Sequence, residues 1–375
     1  MIGLYIHIPF CQKVCDYCDF QVLKANENYY DDFTEALILE LSFLKARYPE
    51  KWNATETLYF GGGTPSVLPL ENLKRIFLAL KNSGIDFGKL KEITMEMNPE
   101  SVTEEKLQLA IDSGIKRFSL GIQTFDENIL KKIGRTHSVK QAYKALDLLC
   151  SEREIHVNAD LMFNLPDQSV FSFEEDVLRL SEYPVKHISF YGLQISKRTM
   201  LYANLKKNLF SVDENLYADM YKTGVSLLEK KGFYRYEVSN FAKPGFESLH
   251  NLNYWNRGEY FGAGPSAHAF LDDTRFHFPG RYSAWKKWVA SGASVSEYEK
   301  EFLTKKEAKE EFIWLSLRQK KGLSLKELYE KYQAKTDPEK ITFWEQKKCI
   351  AIENDRLFLI NDGWIFMDSI VLDFF

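Results

Sequence analysis

The stretch YIHIPFCQKVCDYCDF, Tyr5 to Phe20, holds Cys11, Cys15 and Cys18 in the pattern C-x-x-x-C-x-x-C. Thiolates at spacings of four and three can converge on one metal centre. A structural zinc site is closed by four protein ligands, and no fourth candidate lies in range. The nearest histidine, His7, would need its strand to bend back. A cubane iron–sulfur cluster has four irons, each wanting one outside ligand. Three cysteines leave one iron open to a small molecule. The other two cysteines, Cys150 and Cys349, lie in an apolar-periodic helix and a charged segment, and neither receives a role. One tight cluster within an odd total is a poor disulfide framework and fits thiols kept reduced.

Further polar residues fall where strand-like segments end. The turn GGGTP, Gly61 to Pro65, would let a backbone approach a ligand closely. Glu96 ends one strand in EMNP, Gln123 another in LGIQTF, and Asp160 a third in NADLMF; Arg135 lies in KKIGRTHS. A carboxylate inside an apolar strand is costly unless it is paired or faces a ligand. For each residue alone, a solvated strand end is the commoner explanation. Four in the same layer of one barrel are less easily dismissed that way.

The elements that must position these residues alternate. Strand-like segments begin at Leu4, Thr57, Glu92, Arg117, His156 and His187, with amphipathic helical stretches between them. Six βα units in a row imply parallel strands with right-handed crossovers, curling towards a barrel that eight would close. The fold class is therefore α/β, a partial six-stranded parallel barrel over residues 1–197. A mixed α+β extension over 198–300 follows, in which YRYEVSNFA and FGAGPSAHAF read as strands flanking a Gly- and Asn-rich loop region. Residues 301–375 read as charged amphipathic helices and then a small sheet turning at Asn361-Asp362-Gly363, which together resemble a winged-helix module.

CQKVCDYC, with the aromatic Tyr17 directly before the last cysteine, resembles the signature of the radical S-adenosylmethionine (SAM) enzymes. That resemblance implies a 4Fe-4S cluster on Cys11, Cys15 and Cys18, with SAM chelating the open iron. It also implies SAM contacts from Tyr5, Tyr17, Gly62, Gly63, Thr64, Glu96, Gln123, Arg135 and Asp160. IHIPFC, GGGTPS, GIKRFSLGIQTFDENILKKIGRTHS and YEVSNFAKPGFESLHNLNYW look like the oxygen-independent coproporphyrinogen III oxidase group. The oxidase branch has a fourth cysteine where this chain has Phe20, and an extension before the cysteine loop that this chain lacks. Both departures resemble the HemW branch, regarded as haem chaperones, whose H-N-x-x-Y-W motif reads here as HNLNYW. The resemblance implies haem binding, with His250 as the expected iron ligand and Tyr254 and Trp255 stacked on the porphyrin. It further implies acceptor apo-haemoproteins, among them respiratory proteins at the membrane, and an electron donor. The alternative is a true enzyme, the oxidative decarboxylation of coproporphyrinogen III; Phe20 and the short N-terminus speak against it. One departure is local: Asn164 in NLPDQ replaces the family's glycine, and asparagine tolerates the left-handed backbone such a turn needs.

The remaining exclusions come from the whole chain. Its net charge of −4 argues against broad nucleic-acid binding, and the C-terminal lysines alternate with acids as solvated faces do. No apolar run is long enough to span a bilayer. The N-terminus lacks the basic region and cleavage site of a signal peptide. A cytoplasmic location is expected.

Overall fold

A computed structural model describes residues 1–293 and 299–375. Its frame is one twelve-stranded sheet. The strands are β1 (Ile2–Ile8), β2 (Thr55–Gly62), β3 (Glu92–Met97), β4 (Arg117–Gln123), β5 (His156–Phe163), β6 (His187–Gly192), β7 (Tyr234–Glu237), β8 (Asn240–Ala242), β9 (Glu259–Ala263), β10 (His268–Leu271), β11 (Thr274–His277) and β12 (Glu299–Phe302). In space they run β12-β11-β10-β9-β1-β2-β3-β4-β5-β6-β8-β7. The six strands expected from the sequence are all present and parallel in chain order. A seventh, β9, joins the parallel set on the other side of β1, pairing Ile2–Ile6 with Glu259–Ala263. Antiparallel strands cap both edges.

The crossovers are helical: α1 (Glu27–Arg47), α2 (Leu70–Asn82), α3 (Glu104–Ser113), α4 (Val139–Ser151) and α5 (Val170–Ser181), followed by α6 (Leu216–Lys230). Their starts are set locally. Thr103 caps α3, accepting from the Lys106 N–H at 3.3 Å, and Ser138 with Gln141 forms a reciprocal capping box on α4. Gly114 ends α3 in a left-handed conformation, φ 105°. Asn164 also adopts one, φ 58°, so the turn after β5 survives the loss of glycine. The strands are buried on both faces, as a sheet covered by helices requires.

Beyond β6 the sequence-based elements need correction. YRYEVSNFA is two strands, β7 and β8, and FGAGPSAHAF divides into the ends of β9 and β10 around Gly264. Gly264 cannot carry a side chain, since a Cβ would lie 2.3 Å from the His7 carbonyl oxygen. HNLNYW lies in a helix, α7 (Leu249–Trp255), where a loop region was expected. In the C-terminal segment the hairpin Ile350–Glu353/Arg356–Leu359 turns at Asn354-Asp355, both left-handed, and pairs with Leu323–Ser324. Asn361-Asp362-Gly363 instead opens a 3₁₀ turn, and the chain ends in a helix, Met367–Asp373.

One buried carboxyl ties the sheet's α1 layer to the β9–β10 loop. Glu40 accepts from the Gly264 N–H at 2.8 Å and the Trp285 indole N–H at 3.0 Å, through one oxygen. Burial pushes its pKa from 4.5 up to about 8. Between those values the folded chain holds a proton that the unfolded chain has released, so stability falls as pH rises through the window. His7 and His250, lowered by burial to about 4 and about 3, act in the opposite sense, but only below their ordinary 6.5. Urea midpoints are therefore expected to decline between pH 7 and 8, and Glu40→Gln to remove most of that decline. An unchanged slope in the variant would refute the assignment.

Candidate active site and its neighbouring cavity

The cysteine loop leaves β1 and is gripped by backbone from two sides. The Gly63 N–H donates to the Ile8 carbonyl at 2.7 Å and the Thr64 N–H to the Phe10 carbonyl at 2.7 Å. This approach is possible only at glycine, because a Cβ on Gly63 would lie 2.6 Å from the Phe10 oxygen. On the far side the Asp16 N–H donates to the Ile133 carbonyl at 3.0 Å. A Cβ on the left-handed Gly134 would strike Asp16 at 2.4 Å. Tyr17 packs into a small apolar cluster with Ile129, Ile133, Met162 and Leu165.

Cys11, Cys15 and Cys18 are free thiols brought to one end of the parallel strands. Burial pushes Cys11 up to about 11, and Cys18 upward also, each with a repulsive contribution from Cys15. Two donors oppose this: the Thr64 hydroxyl lies 3.6 Å from the Cys11 sulfur and the Arg135 Nη1 3.6 Å from that of Cys15. Asn98 joins the two. Its Nδ2 donates to Thr64 Oγ1 at 2.8 Å, and its Oδ1 accepts from Arg135 Nη2 at 2.8 Å. Asn98 was not among the candidates read from the sequence. Among the described residues, no three His, Cys, Asp or Glu side chains are grouped to hold a metal ion. A cubane, with each thiolate on a different iron, asks for a different arrangement from a closed single-ion site.

The other candidates line the same strands. Glu96 is the fifth residue of β3's six and Asp160 the fifth of β5's eight, so both sit within strands rather than at their ends. Glu96 accepts from the Tyr59 hydroxyl at 2.7 Å and the Gly62 N–H at 3.2 Å. Burial, with Asp160 adding repulsion, pushes Glu96 up to about 7. Asp160 is raised by burial too, against hydrogen bonds from Ser119, Asn158 and Ser189. Gln123 is left-handed, φ 69°, where the β4–β5 register shifts. Its amide, Asn98 and Arg135 together crowd Gly121, which has no room for a side chain. The N–H groups of Gly62, Gly63 and Thr64 are all committed, so these three can offer a ligand only acceptors from their backbone. Such a site suits an ammonium better than an anion.

Next to these residues opens a cavity of about 540 Å³, walled by Tyr5, His7, Gly62 and Glu96 on one side and by Tyr254, Trp255, Tyr260 and His268 on the other. Phe20, 74% exposed, stands at its edge. The α7 helix reaches this wall because Glu92, the first residue of β3, receives its N-terminus. The carboxylate accepts from the Leu249 N–H at 2.7 Å, the His250 N–H at 3.2 Å and the Ser248 hydroxyl at 3.1 Å.

His250 is not presented to the cavity. It is 1% exposed, its Nδ1 pairs with the Thr57 hydroxyl at 2.9 Å and its Nε2 with the Tyr254 hydroxyl at 2.7 Å. The ring stacks on Tyr59 at 5.1 Å, and Gly3 leaves the space it occupies. A metal ligand needs a nitrogen lone pair with an open approach. The one lone pair of this neutral imidazole is engaged by a hydroxyl and has no open approach, so the expectation that it binds iron is corrected: its place in the structure is that of a buried clamp.

Gly63→Ala is expected to push the cysteine loop off the Phe10 carbonyl and expose Cys11. The alkylation rate of Cys11 by iodoacetamide at pH 8 should rise about ten-fold, since thiolate fraction and access both control reactivity. A rate equal to wild type would show that the close approach does not shield the thiol.

Residues 5–180 match the radical SAM superfamily. Over 364 residues the chain is 34% identical to the Heme chaperone HemW of Lactococcus lactis, covering 96% of this chain and 93% of that one. It is 32% identical over 372 residues to the Heme chaperone HemW of Bacillus subtilis, covering 97% and 96%. The Escherichia coli coproporphyrinogen III oxidase HemN, described as a radical SAM enzyme, superposes with a TM-score of 0.85 over 100% of this chain and 89% of its own, at 18% identity. Similarity at that identity establishes a shared fold, while the extent of the two sequence matches establishes that this chain belongs to the HemW family of radical SAM proteins.

Proposed function

We propose that this protein is a haem chaperone that binds haem beside a SAM-ligated 4Fe-4S cluster and delivers it to acceptor apo-haemoproteins. The observation that carries the reading is the single cavity shared by the two motifs. Tyr5, Gly62 and Glu96 line one side of it, and Tyr254 and Trp255 of HNLNYW the other. A volume of about 540 Å³ lies within the usual range for small-molecule sites, roughly 300–1,000 Å³. The relatives' printed names, Heme chaperone HemW, support haem as the cargo.

In this reading Cys11, Cys15 and Cys18 hold the cluster, and the fit rests on three free thiols with Thr64 and Arg135 donating towards two of them. When bound, a reduced cluster supplies an electron able to cleave the SAM sulfonium. The chain's own residues bind and orient. Gly62, Gly63 and Glu96 offer acceptors to the SAM amino group, and Arg135 a guanidinium to its carboxylate. Asp160 and Gln123 face the hydroxyls, while Tyr17 and Tyr5 provide apolar walls. The α+β extension, 198–300, carries the haem side, and residues 301–375 supply Glu311 and Leu315 to the cavity rim. No helix among the described residues is long and apolar enough to cross a membrane. The reading includes an electron donor and no nucleic acid, with the protein working in the cytoplasm.

Anaerobically reconstituted protein is expected to carry about four irons per chain, to bind haem at one site, and to yield no protoporphyrinogen IX from coproporphyrinogen III and SAM. Multiple turnovers of that decarboxylation would overturn the chaperone reading in favour of the oxidase. Failure to bind haem would overturn it outright.

A further inference from the structure

The cavity wall holds three buried side-chain nitrogens without partners, His7 Nε2 and two that can only donate. Trp255 Nε1 and Arg257 Nη2 are both buried and unpaired, and both residues line the cavity. Leaving such groups unpaired is costly, and more so for a charged one. Arg257 is also held in the left-handed conformation, φ 56°, a state that costs a non-glycine residue energy. Next to it the chain passes close to Asn253: a Cβ on Gly258 would meet Asn253 Oδ1 at 2.0 Å, and Asn253 Nδ2 donates to the Glu259 carbonyl at 2.8 Å. This turn ends α7 abruptly and aims Arg257 across β10, its guanidinium 4.9 Å from the Phe270 ring centre. Arg257 Nε is fixed by Glu311 at 2.8 Å and Nη1 by Asp273 at 2.9 Å, which leaves Nη2 as the unpaired arm.

Two residues before Phe270, and so on the same face of β10 about 7 Å along, stands His268. It lines the cavity and is exposed. Its ring stacks on His277, directly opposite across the β10–β11 pair, at 4.4 Å and 17°, and among the described residues no hydrogen bond engages a nitrogen of the His268 ring. Stacking fixes the plane of an imidazole without occupying its lone pair. The other histidine on the wall, His7, is tied through Nδ1 to the Tyr5 hydroxyl at 3.1 Å; its Nε2 has no partner but is enclosed in a ring that is 5% exposed and lies over Gly62, whereas His268 is open to the cavity.

We propose that His268, not His250, is the haem iron ligand, and that Trp255 Nε1 and Arg257 Nη2 receive a haem propionate carboxylate in the same cavity. The assignment rests on the haem-chaperone reading and specifies its site. The HNLNYW segment then acts mainly by shape: His250 clamps the helix, Asn253 forms its exit, and Trp255 with the following Arg257 meets the anionic edge of the porphyrin.

The test is titration of the full-length reconstituted protein with ferric haem and with ferric haem dimethyl ester, read by absorption and electron paramagnetic resonance. Wild type should bind the diester about ten-fold more weakly or worse, because esterification removes the charge that the two donors recognise. Trp255→Phe and Arg257→Gln should each lose most of that discrimination. His268→Ala should lose the imidazole-ligated spectrum and bind haem at least about ten-fold more weakly. Should His268→Ala fail to fold, as judged by thermal melting, His268→Cys decides: a shift to a thiolate-ligated spectrum supports the assignment, and an unaltered spectrum overturns it. Equal affinity of wild type for haem and its diester, or a wild-type spectrum in folded His268→Ala, also overturns it, while haem binding itself leaves the chaperone reading intact. Wild type that binds no haem at all instead sinks the underlying reading.

Discussion

Asn98 is the point on which the site depends. Three thiols share one loop, which is shaped from outside. Asn98 does this by giving its amide N–H to Thr64 and its amide oxygen to Arg135. Those partners reach Cys11 and Cys15 in turn. An amide is suited to the task because it donates and accepts at once from a single rigid plane. An aspartate there would lose the donor to Thr64, and a leucine both bonds. The Gly63 and Gly134 approaches then press the loop backbone against this ring from either side.

The buried carboxyls follow from the same economy of space. Glu96 and Asp160 face one interior, and removal from water disfavours the charged form of each. Glu96, raised to about 7, is held by Tyr59 and the Gly62 N–H and retains acceptor capacity towards the cavity. Asp160 is more fully occupied by Ser119 and Asn158. Both carboxyls would become more favourable to ionise if a cation entered.

Legibility in the sequence tracked the range of the interactions. The cysteine loop, the six strands and the caps of α3 are local patterns, and each could be read from neighbours a few residues apart. Asn98 could not, although it was in view beside Glu96: before a proline it reads as an ordinary turn residue, and its partners lie 34 and 37 positions away. The parallel pairing of β9 with β1 closes over more than 250 residues, and alternation alone could not order it. Unpaired donors such as Arg257 Nη2 have no sequence signature at all. The φ of 56° at a non-glycine residue becomes visible only in the folded chain.

His250 shows how a motif can be present while its histidine is not placed for the chemistry it suggests. A histidine followed by asparagine and two aromatics invites a ligand role, because imidazole binds iron readily. Yet an imidazole has two nitrogens, and here Thr57 and Tyr254 take both. Ligation would leave a buried hydroxyl without its partner, a loss of about 1–3 kcal/mol before any movement of α7 is counted. The series Tyr5, Tyr59, His250 and Tyr254, in which each ring lies against the next, is instead a rigid link from the cysteine strand to the cavity wall. Rigidity of that link fixes the distance between whatever the thiols hold and whatever the cavity holds. A flexible histidine free to bind iron could not also set that distance.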